Sequence, residues 1–326
     1  MPNAIRVHQA GGPEALIWES VAIGAPGSGE LRIRQTFAGV NFIDIYHRSG
    51  LYPLPTPFTP GYEAVGVVQA VGPGVTRFEP GDRVVYTGVT GGYAEERLLA
   101  ENHAIHLPAE IPDRVAAAVF LRGLTVDLLL NHVHPVKNGD TVLIHAAAGG
   151  VGLLFSQWAR ALGVEVIGTV SSEAKAALAI ENGCHHVILT GKEDLVARVK
   201  EITGGRRLPV VYDSIGRDTF QQSLECLQPL GTLVSFGNAS GPVPPFEISR
   251  LAAMGSLKVT RCTLATATAI PDFYQRLAES LFKMLRSDKL TPHIHRCWPL
   301  EQAAEAQIAL ASRQTTGSMI LEVSNV

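Results

Sequence analysis

The residues best suited to chemistry lie at 147–152, where the sequence reads Ala-Ala-Gly-Gly-Val-Gly. This segment follows an apolar strand pattern, 141–146, and opens an amphipathic helical pattern from Gly152 to Leu162. Glycines in this setting let the main chain approach a pyrophosphate, and the helix N-terminus offers N–H groups and partial positive charge. The spacing A-x-G-x-x-G therefore predicts a dinucleotide-binding turn. The alternative is a glycine-rich turn in an α/β protein that binds no nucleotide, and the flanking strand and helix weigh against it.

The end of the next strand indicates which dinucleotide to expect. That strand ends Thr-Val-Ser-Ser at 169–172, with no carboxylate at its tip, and Lys175 follows shortly after Glu173. An NAD site usually carries an acidic residue there for the ribose 2′-hydroxyl. Two hydroxyls and an ammonium instead suit a 2′-phosphate, which brings negative charge and several acceptor oxygens. The sequence thus favours NADPH, the alternative being that Lys175 is an ordinary exposed helix lysine.

The elements that must position these residues form two patterns. Up to about residue 121, short β-prone runs such as 63–71 and 83–86 are separated by glycine- and proline-rich turns, which predicts a small barrel or sandwich. Residues 122–265 alternate strands with longer helices, which predicts a parallel sheet covered on both faces. The tail, 266–326, is too short for a domain and is expected to pack on the first one. The predicted fold class is α/β, with 1–121 and 266–326 in one domain and 122–265 in the other.

Composition excludes several classes of protein. The chain has 326 residues, 46% of them hydrophobic, and its 27 basic and 30 acidic residues give a net charge of −3. A nucleic-acid partner is therefore not expected, because such surfaces carry a basic excess. The chain shows no signal-peptide core and no run of about 18 uncharged apolar residues, so no membrane span is expected. The 4 cysteines form no CxxC pair, which is typical of a reduced, cytoplasmic protein.

Five segments resemble the quinone oxidoreductase (zeta-crystallin-like) family of zinc-free medium-chain dehydrogenases/reductases, and its bacterial members most closely. These segments are 139–152 with Gln157 and Arg160, 39–44, 49–53, 213–216 and 235–238. The resemblance extends over nearly the whole chain. It implies a GroES-like, β-rich catalytic domain and a Rossmann domain with a doubly wound parallel sheet, with a cleft between them. It also implies a homodimer formed through the cofactor-binding domains, by a strand at 257–261.

The resemblance further implies the residues of the site. Asn41 and Tyr46 are expected near the nicotinamide, and Ser171, Lys175 and Arg313 near the phosphates. The full set implied to bind NADPH is Asn41, Phe42, Tyr46, Thr125, Gly149, Gly150, Val151, Ser171, Ser172, Lys175, Thr190, Ser214, Phe236, Gly237, Asn238, Ala239, Thr263 and Arg313. Thr190 is a departure, since close members of the family place a tyrosine there, beside the 2′-phosphate.

Zinc alcohol dehydrogenases share this architecture, so the metal ligands have to be compared. A catalytic zinc takes three protein ligands, usually Cys and His. The zinc enzymes have a cysteine in the place of Asn41 and a histidine in the place of Tyr62, and the four-cysteine structural lobe is missing here. His293, His295 and Cys297 alternate and would share one face of a strand, which indicates a half-exposed strand rather than a metal site. No metal is predicted.

Without a Lewis acid, a substrate that accepts hydride readily is expected. Quinones do so, and the negative charge that develops on the quinone oxygen can be met by the Asn41 amide and by the hydroxyls of Tyr46 and Tyr52. The alternative for each tyrosine is aromatic packing. Two other functions stay open: an NADPH-dependent alkenal or enone reductase on the same fold, and an RNA-binding or structural crystallin-like protein.

Overall fold

A computed structural model describes residues 1–323 of the chain. The chain divides into two compact units. The first, here called the mixed-sheet unit, comprises Met1–Arg122, Ala267–Phe282 and the residues from Pro292 onward. The second, the parallel-sheet unit, comprises Gly123–Thr266 and Lys283–Thr291. Each unit is described below by itself.

The regular elements of residues 1–323 are strands, α-helices and a few short 3₁₀ and π-helical turns. The strands are β1 (Asn3–Arg6), β2 (Ile17–Ser20), β3 (Glu30–Val40), β4 (Glu63–Val71), β5 (Arg83–Thr87), β6 (Glu96–Ala100), β7 (Ala104–His106), β8 (Thr141–Ile144), β9 (Glu165–Val170), β10 (His186–Leu189), β11 (Leu208–Asp213), β12 (Leu227–Ser235), β13 (Lys258–Arg261), β14 (Ile294–Pro299) and β15 (Ser318–Glu322). The α-helices are α1 (Phe42–Arg48), α2 (Asp113–Asp127), α3 (Gly150–Ala161), α4 (Glu173–Glu181), α5 (Leu195–Ile202), α6 (Phe220–Glu225), α7 (Ser249–Ala253), α8 (Leu264–Thr268), α9 (Pro271–Arg286) and α10 (Ala303–Ala311). Short 3₁₀ turns cover Pro13–Ala15, Glu101–His103 and Leu300–Gln302, and a π-helical stretch, Leu128–Val133, continues α2.

The mixed-sheet unit is organised around the long strand β3. Its sheet runs β14-β15-β3-β4-β5-β7, with β6 also paired to β3, while β1 and β2 form a separate pair. Strand β3 pairs antiparallel with three strands: with β4 over residues 31–38, with β6 over residues 30–34 and with β15 over residues 37–40. Apolar residues such as Leu31, Ile33, Val84 and Tyr86 are completely buried and form the core. The barrel or sandwich expected from the sequence is here one mixed sheet.

The parallel-sheet unit has its strands in the order β10-β9-β8-β11-β12-β13, and each neighbouring pair is parallel. Numbered within the unit, this order is 3-2-1-4-5-6, which defines the doubly wound Rossmann sheet. The strands are short and apolar because helices cover both faces, and Val142, Leu143 and Ile144 are completely buried. The predicted fold class is confirmed. The sheet order reverses between β8 and β11, and ligands of such sheets bind beyond the carboxyl ends of the strands at this point.

Helix boundaries follow local capping. Ser172 precedes α4 and accepts a hydrogen bond from the Lys175 N–H, and Gly183 follows it with φ of +110°. A glycine in this left-handed conformation is a common end of an α-helix. Helix α3 begins at Gly150, two residues before the predicted start, because Gly149 is still extended with φ −81° and ψ 175°.

The stretch Asp113–Val133 has the length and mean hydropathy, 1.3, of a helix that could cross a membrane. However, 72% of its apolar window is buried inside the protein. A core helix of a globular protein has the same composition, so this stretch is weak evidence for a membrane span.

Candidate active site

The turn between β8 and α3 carries Gly149, Gly150 and Val151 at the carboxyl edge of the parallel sheet. Gly149 is the N-cap of α3 and, as a glycine, has no side chain that could cap the helix. The first N–H groups of an α-helix have no partner within the helix and carry partial positive charge. A Cβ at Gly152 would lie 2.4 Å from the carbonyl oxygen of Ala146, so the helix approaches the turn as closely as only glycine permits. This turn fits a dinucleotide pyrophosphate.

Alanine at the first glycine position of the motif is accommodated by the neighbouring strand. Ala147 is completely buried, and a Cβ at Gly168 of β9 would lie 2.5 Å from the Ala147 Cβ. Gly168 therefore leaves the space that the Ala147 methyl group occupies. The left-handed residue of the turn is Ala146, with φ of +54°, a conformation that favours glycine. The sequence motif predicted neither the space left by Gly168 nor the left-handed conformation of Ala146.

A cationic and hydroxyl-rich corner lies at the ends of β9 and β10. The Lys175 ammonium donates to the Ser171 hydroxyl at 3.4 Å, and partial burial lowers the pKa of Lys175. The Thr190 hydroxyl donates to the carbonyl of Val170 at 3.1 Å, so it lies beside the tip of β9. Glu173 is exposed and pairs with Lys192 at 3.3 Å. Ser171, Ser172, Lys175 and Thr190 are thus brought together at adjoining strand ends, where a ribose 2′-phosphate could be held.

The other predicted cofactor residues of this unit mostly follow the next strands. They are Ser214 after β11; Phe236, Gly237, Asn238 and Ala239 after β12; and Thr263 after β13. The loops after β11 and β12 are joined, since the Ala239 N–H donates to the Ser214 carbonyl at 3.2 Å. A Cβ at Gly237 would lie 2.4 Å from the Ser214 carbonyl oxygen, so the two loops pack backbone to backbone. Strand ends of one parallel sheet therefore assemble six segments of the chain at one edge.

Thr125 and Arg313, like Asn41, Phe42 and Tyr46, lie away from these strand ends. Thr125 is within helix α2, and Arg313 is an exposed residue after α10, in the mixed-sheet unit, with φ of +59°. Neither follows a strand of the parallel sheet. Their assignment rests on the family resemblance and stays a prediction.

In the mixed-sheet unit, the predicted catalytic residue Asn41 precedes helix α1 and is held by buried carboxylates. The Asn41 Nδ2 donates to the Glu63 Oε1 at 2.8 Å, and its backbone N–H donates to the Asp44 Oδ2 at 2.8 Å. Asp44 also accepts from the Tyr62 N–H at 3.0 Å and from the Tyr93 hydroxyl at 2.9 Å. Burial raises the pKa of Asp44 to about 7, against the lowering effect of these hydrogen bonds. Asp44 therefore holds the backbone at Asn41 through these hydrogen bonds.

Aromatic rings continue from Asn41 along α1. Tyr46 is 8% exposed and stacks edge-on against Tyr52, with ring centroids 5.1 Å apart. Phe42 lies 6.2 Å from the Tyr46 ring, and His47 lies between Tyr52 and Tyr62 at 6.4 and 5.5 Å. The three residues predicted to be catalytic, Asn41, Tyr46 and Tyr52, thus belong to one unit and one short segment. Both readings of the tyrosines, packing and hydrogen-bond donation, are compatible with these contacts.

No pattern in the sequence marks two further residues of this cluster, Glu63 and Arg122. Glu63 is completely buried, and its Oε2 accepts from the Leu121 N–H at 2.7 Å. Arg122 is 5% exposed and pairs with the Glu63 Oε1 at 3.2 Å. Burial raises the pKa of Glu63 and lowers that of Arg122, and each charge opposes the shift of the other. Glu63 and Arg122 therefore form a buried ion pair, and its carboxylate accepts the hydrogen bond from the Asn41 side chain.

Within residues 1–323, no three His, Cys, Asp or Glu side chains are grouped as metal ligands. At the two positions where the zinc enzymes have ligands, Asn41 donates to Glu63 and Tyr62 stacks against His47. His293 and His295 both contact the Thr316 hydroxyl, at 3.1 and 3.4 Å. Cys297 lies further along β14 and is a free thiol.

Comparison with known proteins gives two family matches. Residues 27–109 match the alcohol dehydrogenase GroES-like domain, and residues 150–281 match the zinc-binding dehydrogenase family. These matches cover the β-rich part of the chain and most of the parallel-sheet unit, respectively.

Individual proteins are similar over their whole length. A quinone oxidoreductase of Pseudomonas aeruginosa is 47% identical over 98% of this chain and 99% of its own. A 2-haloacrylate reductase of a Burkholderia species is 43% identical over 98% and 99%. The crystal structure of Escherichia coli quinone oxidoreductase complexed with NADPH superposes with a TM-score of 0.96 at 43% identity, covering 98% of this chain and 100% of that chain. The chain therefore belongs to the quinone oxidoreductase family of the medium-chain dehydrogenases/reductases.

Proposed function

We propose that the protein reduces quinones by hydride transfer from NADPH, without zinc. The observation that carries this proposal is the corner at the ends of β9 and β10, where Lys175 donates to Ser171 and the nearby Glu173 is paired with Lys192. It lies on the same sheet edge as the dinucleotide turn. The E. coli relative described above is known with NADPH bound, which supports the same cofactor here.

The residues proposed to hold NADPH have distinct tasks. The N–H groups that open α3, with Gly149, Gly150 and Val151, would bind the pyrophosphate. Ser171, Ser172, Lys175 and Thr190 would bind the 2′-phosphate. The remaining contacts are proposed for Phe42, Thr125, Ser214, Phe236, Gly237, Asn238, Ala239, Thr263 and Arg313.

When bound, NADPH supplies the hydride, and the protein supplies position and electrostatics. One hydride and one proton convert a quinone to a hydroquinone, so negative charge develops on a quinone oxygen before the proton arrives. The second N–H of the Asn41 amide and the hydroxyls of Tyr46 and Tyr52 are the donors proposed to stabilise that charge. The proton comes from water, since the carboxyl groups of Asp44 and Glu63 are completely buried.

The side chains at positions 41 and 62 support a metal-independent reaction. An amide nitrogen and a phenol replace the thiolate and imidazole that bind catalytic zinc. The amide nitrogen of Asn41 is already bonded to Glu63 at 2.8 Å. Charge stabilisation is therefore assigned to hydrogen-bond donors rather than to a Lewis acid.

A second candidate substrate class is supported by one relative. The 2-haloacrylate reductase of Burkholderia is as similar to this chain as the E. coli quinone oxidoreductase, at 43% identity. Hydride delivery to the carbon of an activated alkene uses the same cofactor site, and the negative charge again develops on a carbonyl oxygen.

The assembly and location are also proposals. We propose a homodimer formed through the parallel-sheet unit, because β13 is an edge strand, paired with β12 alone among the described residues. We propose a cytoplasmic location, since the cysteines at 184, 226, 262 and 297 are free. The division into a catalytic domain, 1–121 with 266–326, and an NADPH domain, 122–265, likewise stays a proposal.

The test is oxidation of NADPH and NADH with 1,4-benzoquinone, a naphthoquinone and an unsaturated aldehyde, with and without a chelator. Faster quinone reduction with NADPH, unaffected by the chelator, is the expected result. Turnover of the aldehyde alone would assign the second function, and loss of activity with the chelator would refute the zinc-free mechanism.

A further inference from the structure

The carboxylate of Glu63 lies in the core of the mixed-sheet unit, and its donors come from two distant places in the sequence, Asn41 and the adjacent residues Leu121 and Arg122. Its Oε1 accepts from the Asn41 amide at 2.8 Å and from Arg122 at 3.2 Å, and its Oε2 accepts from the Leu121 N–H at 2.7 Å. Glu63 is 0% exposed. An ionised carboxylate can be kept in such a place only where its oxygens are hydrogen-bonded and its charge is paired, and both conditions hold here.

Arg122 connects this carboxylate to the main chain that leads into Asn41. Its Nη2 donates to the carbonyl of Val40 at 2.6 Å, and its Nη1 donates to the carbonyl of Ala118 at 3.1 Å as well as to Glu63. Val40 is the residue directly before Asn41. The guanidinium therefore holds the backbone at Asn41, while the carboxylate holds the Asn41 side chain.

The space for this arrangement depends on Gly39. A Cβ at Gly39 would lie 1.9 Å from the Glu63 Oε1 and 2.5 Å from its carboxyl carbon. Strands β3 and β4 are neighbours at this point, with Ala38 opposite Ala64. Since the carboxyl group is held by three donors, it has no alternative position to which it can move without losing hydrogen bonds.

We propose that Glu63 and Arg122 are positioning residues for hydride transfer, acting through Asn41. With one amide proton donated to Glu63, the plane of the Asn41 amide is fixed. Its second N–H and its oxygen are then presented in a single orientation. The inference rests on the proposed function, in which Asn41 stabilises the developing charge. A small displacement or rotation of a hydrogen-bond donor lowers kcat more than it weakens substrate binding, because the hydrogen bond strengthens in the transition state.

The first variant is Glu63→Gln, which keeps the shape and removes the charge. A glutamine has one acceptor oxygen and one NH₂ group, whereas three donors converge on residue 63. Its NH₂ must therefore face at least one of these donors, either the Leu121 N–H or the Asn41 amide together with Arg122, and in either case Asn41 loses its charged acceptor. We expect kcat to fall about 10- to 100-fold while KM for NADPH changes less than about twofold. Glu63→Asp, which keeps the charge but is one methylene shorter, is expected to recover part of kcat.

Two further variants test whether a loss of activity in Glu63→Gln comes only from an unpaired buried charge that destabilises the fold. Glu63→Gln leaves Arg122 as an unpaired buried charge, so the double variant Glu63→Gln/Arg122→Met removes that charge as well. Gly39→Ala displaces the carboxylate mechanically without changing any charge. Gly24→Ala is the matched control, because nothing lies within 4 Å of a Cβ at Gly24.

The decisive measurement is a double-mutant cycle with Asn41→Ala, followed by kcat for quinone reduction. If Glu63 acts through Asn41, Glu63→Gln causes no further loss of kcat in the Asn41→Ala background. Multiplicative losses, or a kcat unchanged in every folded Glu63 variant, would overturn the inference. Wild-type protein that reduces neither quinone nor aldehyde with NADPH would overturn the proposed function, and the inference with it. Normal wild-type turnover with multiplicative losses would overturn the inference alone.

Discussion

Replacing Lys175 by methionine should change the choice between NADPH and NADH. The ammonium lies 3.4 Å from the Ser171 hydroxyl at the tip of β9 and is partly exposed. A hydrogen bond to a charged partner contributes about 1.5–3 kcal/mol, and solvent screening of a partly exposed group favours the lower end of that range. About 1.5 kcal/mol corresponds to roughly tenfold in an equilibrium constant. We therefore expect Lys175→Met to lower kcat/KM for NADPH about tenfold and to leave kcat/KM for NADH within about twofold.

The assay is steady-state oxidation of each coenzyme with 1,4-benzoquinone at two ionic strengths. The matched control is Lys200→Met, which removes an exposed lysine near the end of α5, on the side of the sheet where the strands begin. The ratio between wild type and Lys175→Met should shrink as salt is raised, because salt screens the ammonium–phosphate attraction. Equal proportional losses with NADPH and NADH would show that Lys175 does not contact the 2′-phosphate.

The other predictions concern Gly152 in the dinucleotide turn and Asp44 beside Asn41. Gly152→Ala places a Cβ 2.4 Å from the Ala146 carbonyl oxygen, so it should lower the free energy of unfolding by about 1–3 kcal/mol and raise KM for both coenzymes. Calorimetry and steady-state kinetics measure these effects, with Gly24→Ala as the control. An unchanged melting temperature would contradict the prediction. For Asp44, the folded-state pKa of about 7 lies above the ordinary value of 3.8, so the folded protein retains a proton that the unfolded chain releases. The contribution of this group to stability is therefore complete below pH 3.8 and is lost as the pH rises through about 7. Between about pH 5 and 8 the loss is about 3 kcal/mol. Urea unfolding of wild type across this range should show that slope, the profile of Asp44→Asn should be flatter, and equal slopes in the two proteins would refute the assignment.

The cofactor side of the site was largely predictable from the sequence. The turn at 147–152 is recognised from residues adjacent in the chain, and the strand–helix alternation predicts a parallel sheet. In such a sheet all carboxyl strand ends meet at one edge, so the segments after β9, β10, β11 and β12 come together without further information. The compensation of Ala147 by Gly168 was missed, because it depends on the pairing of β8 with β9.

The substrate side was predictable only as far as the family segments at 39–44 and 49–53 reach. Glu63 is 22 residues from Asn41, and Arg122 is 59 residues from Glu63. Their contacts therefore depend on the pairing of β3 with β4 and on the position of Arg122 within helix α2. No local pattern marks a glutamate in an apolar strand as the partner of a distant asparagine. The role of Gly39 is visible only once the Glu63 carboxylate occupies the space beside it.

The dinucleotide turn and the Asn41 cluster should therefore respond differently to mutation. At the dinucleotide turn the proposed ligands are main-chain N–H groups, and what the side chains must do is leave room, as Gly152 and Gly168 do. Changes of volume there should alter binding of both coenzymes and stability together. Around Asn41 the geometry depends on buried carboxyl groups, Glu63 with Arg122 and Asp44 with its three donors. Isosteric changes that leave the volume intact but remove a charge should impair turnover and its pH dependence there, since a neutral side chain cannot accept from all the donors that a carboxylate satisfies.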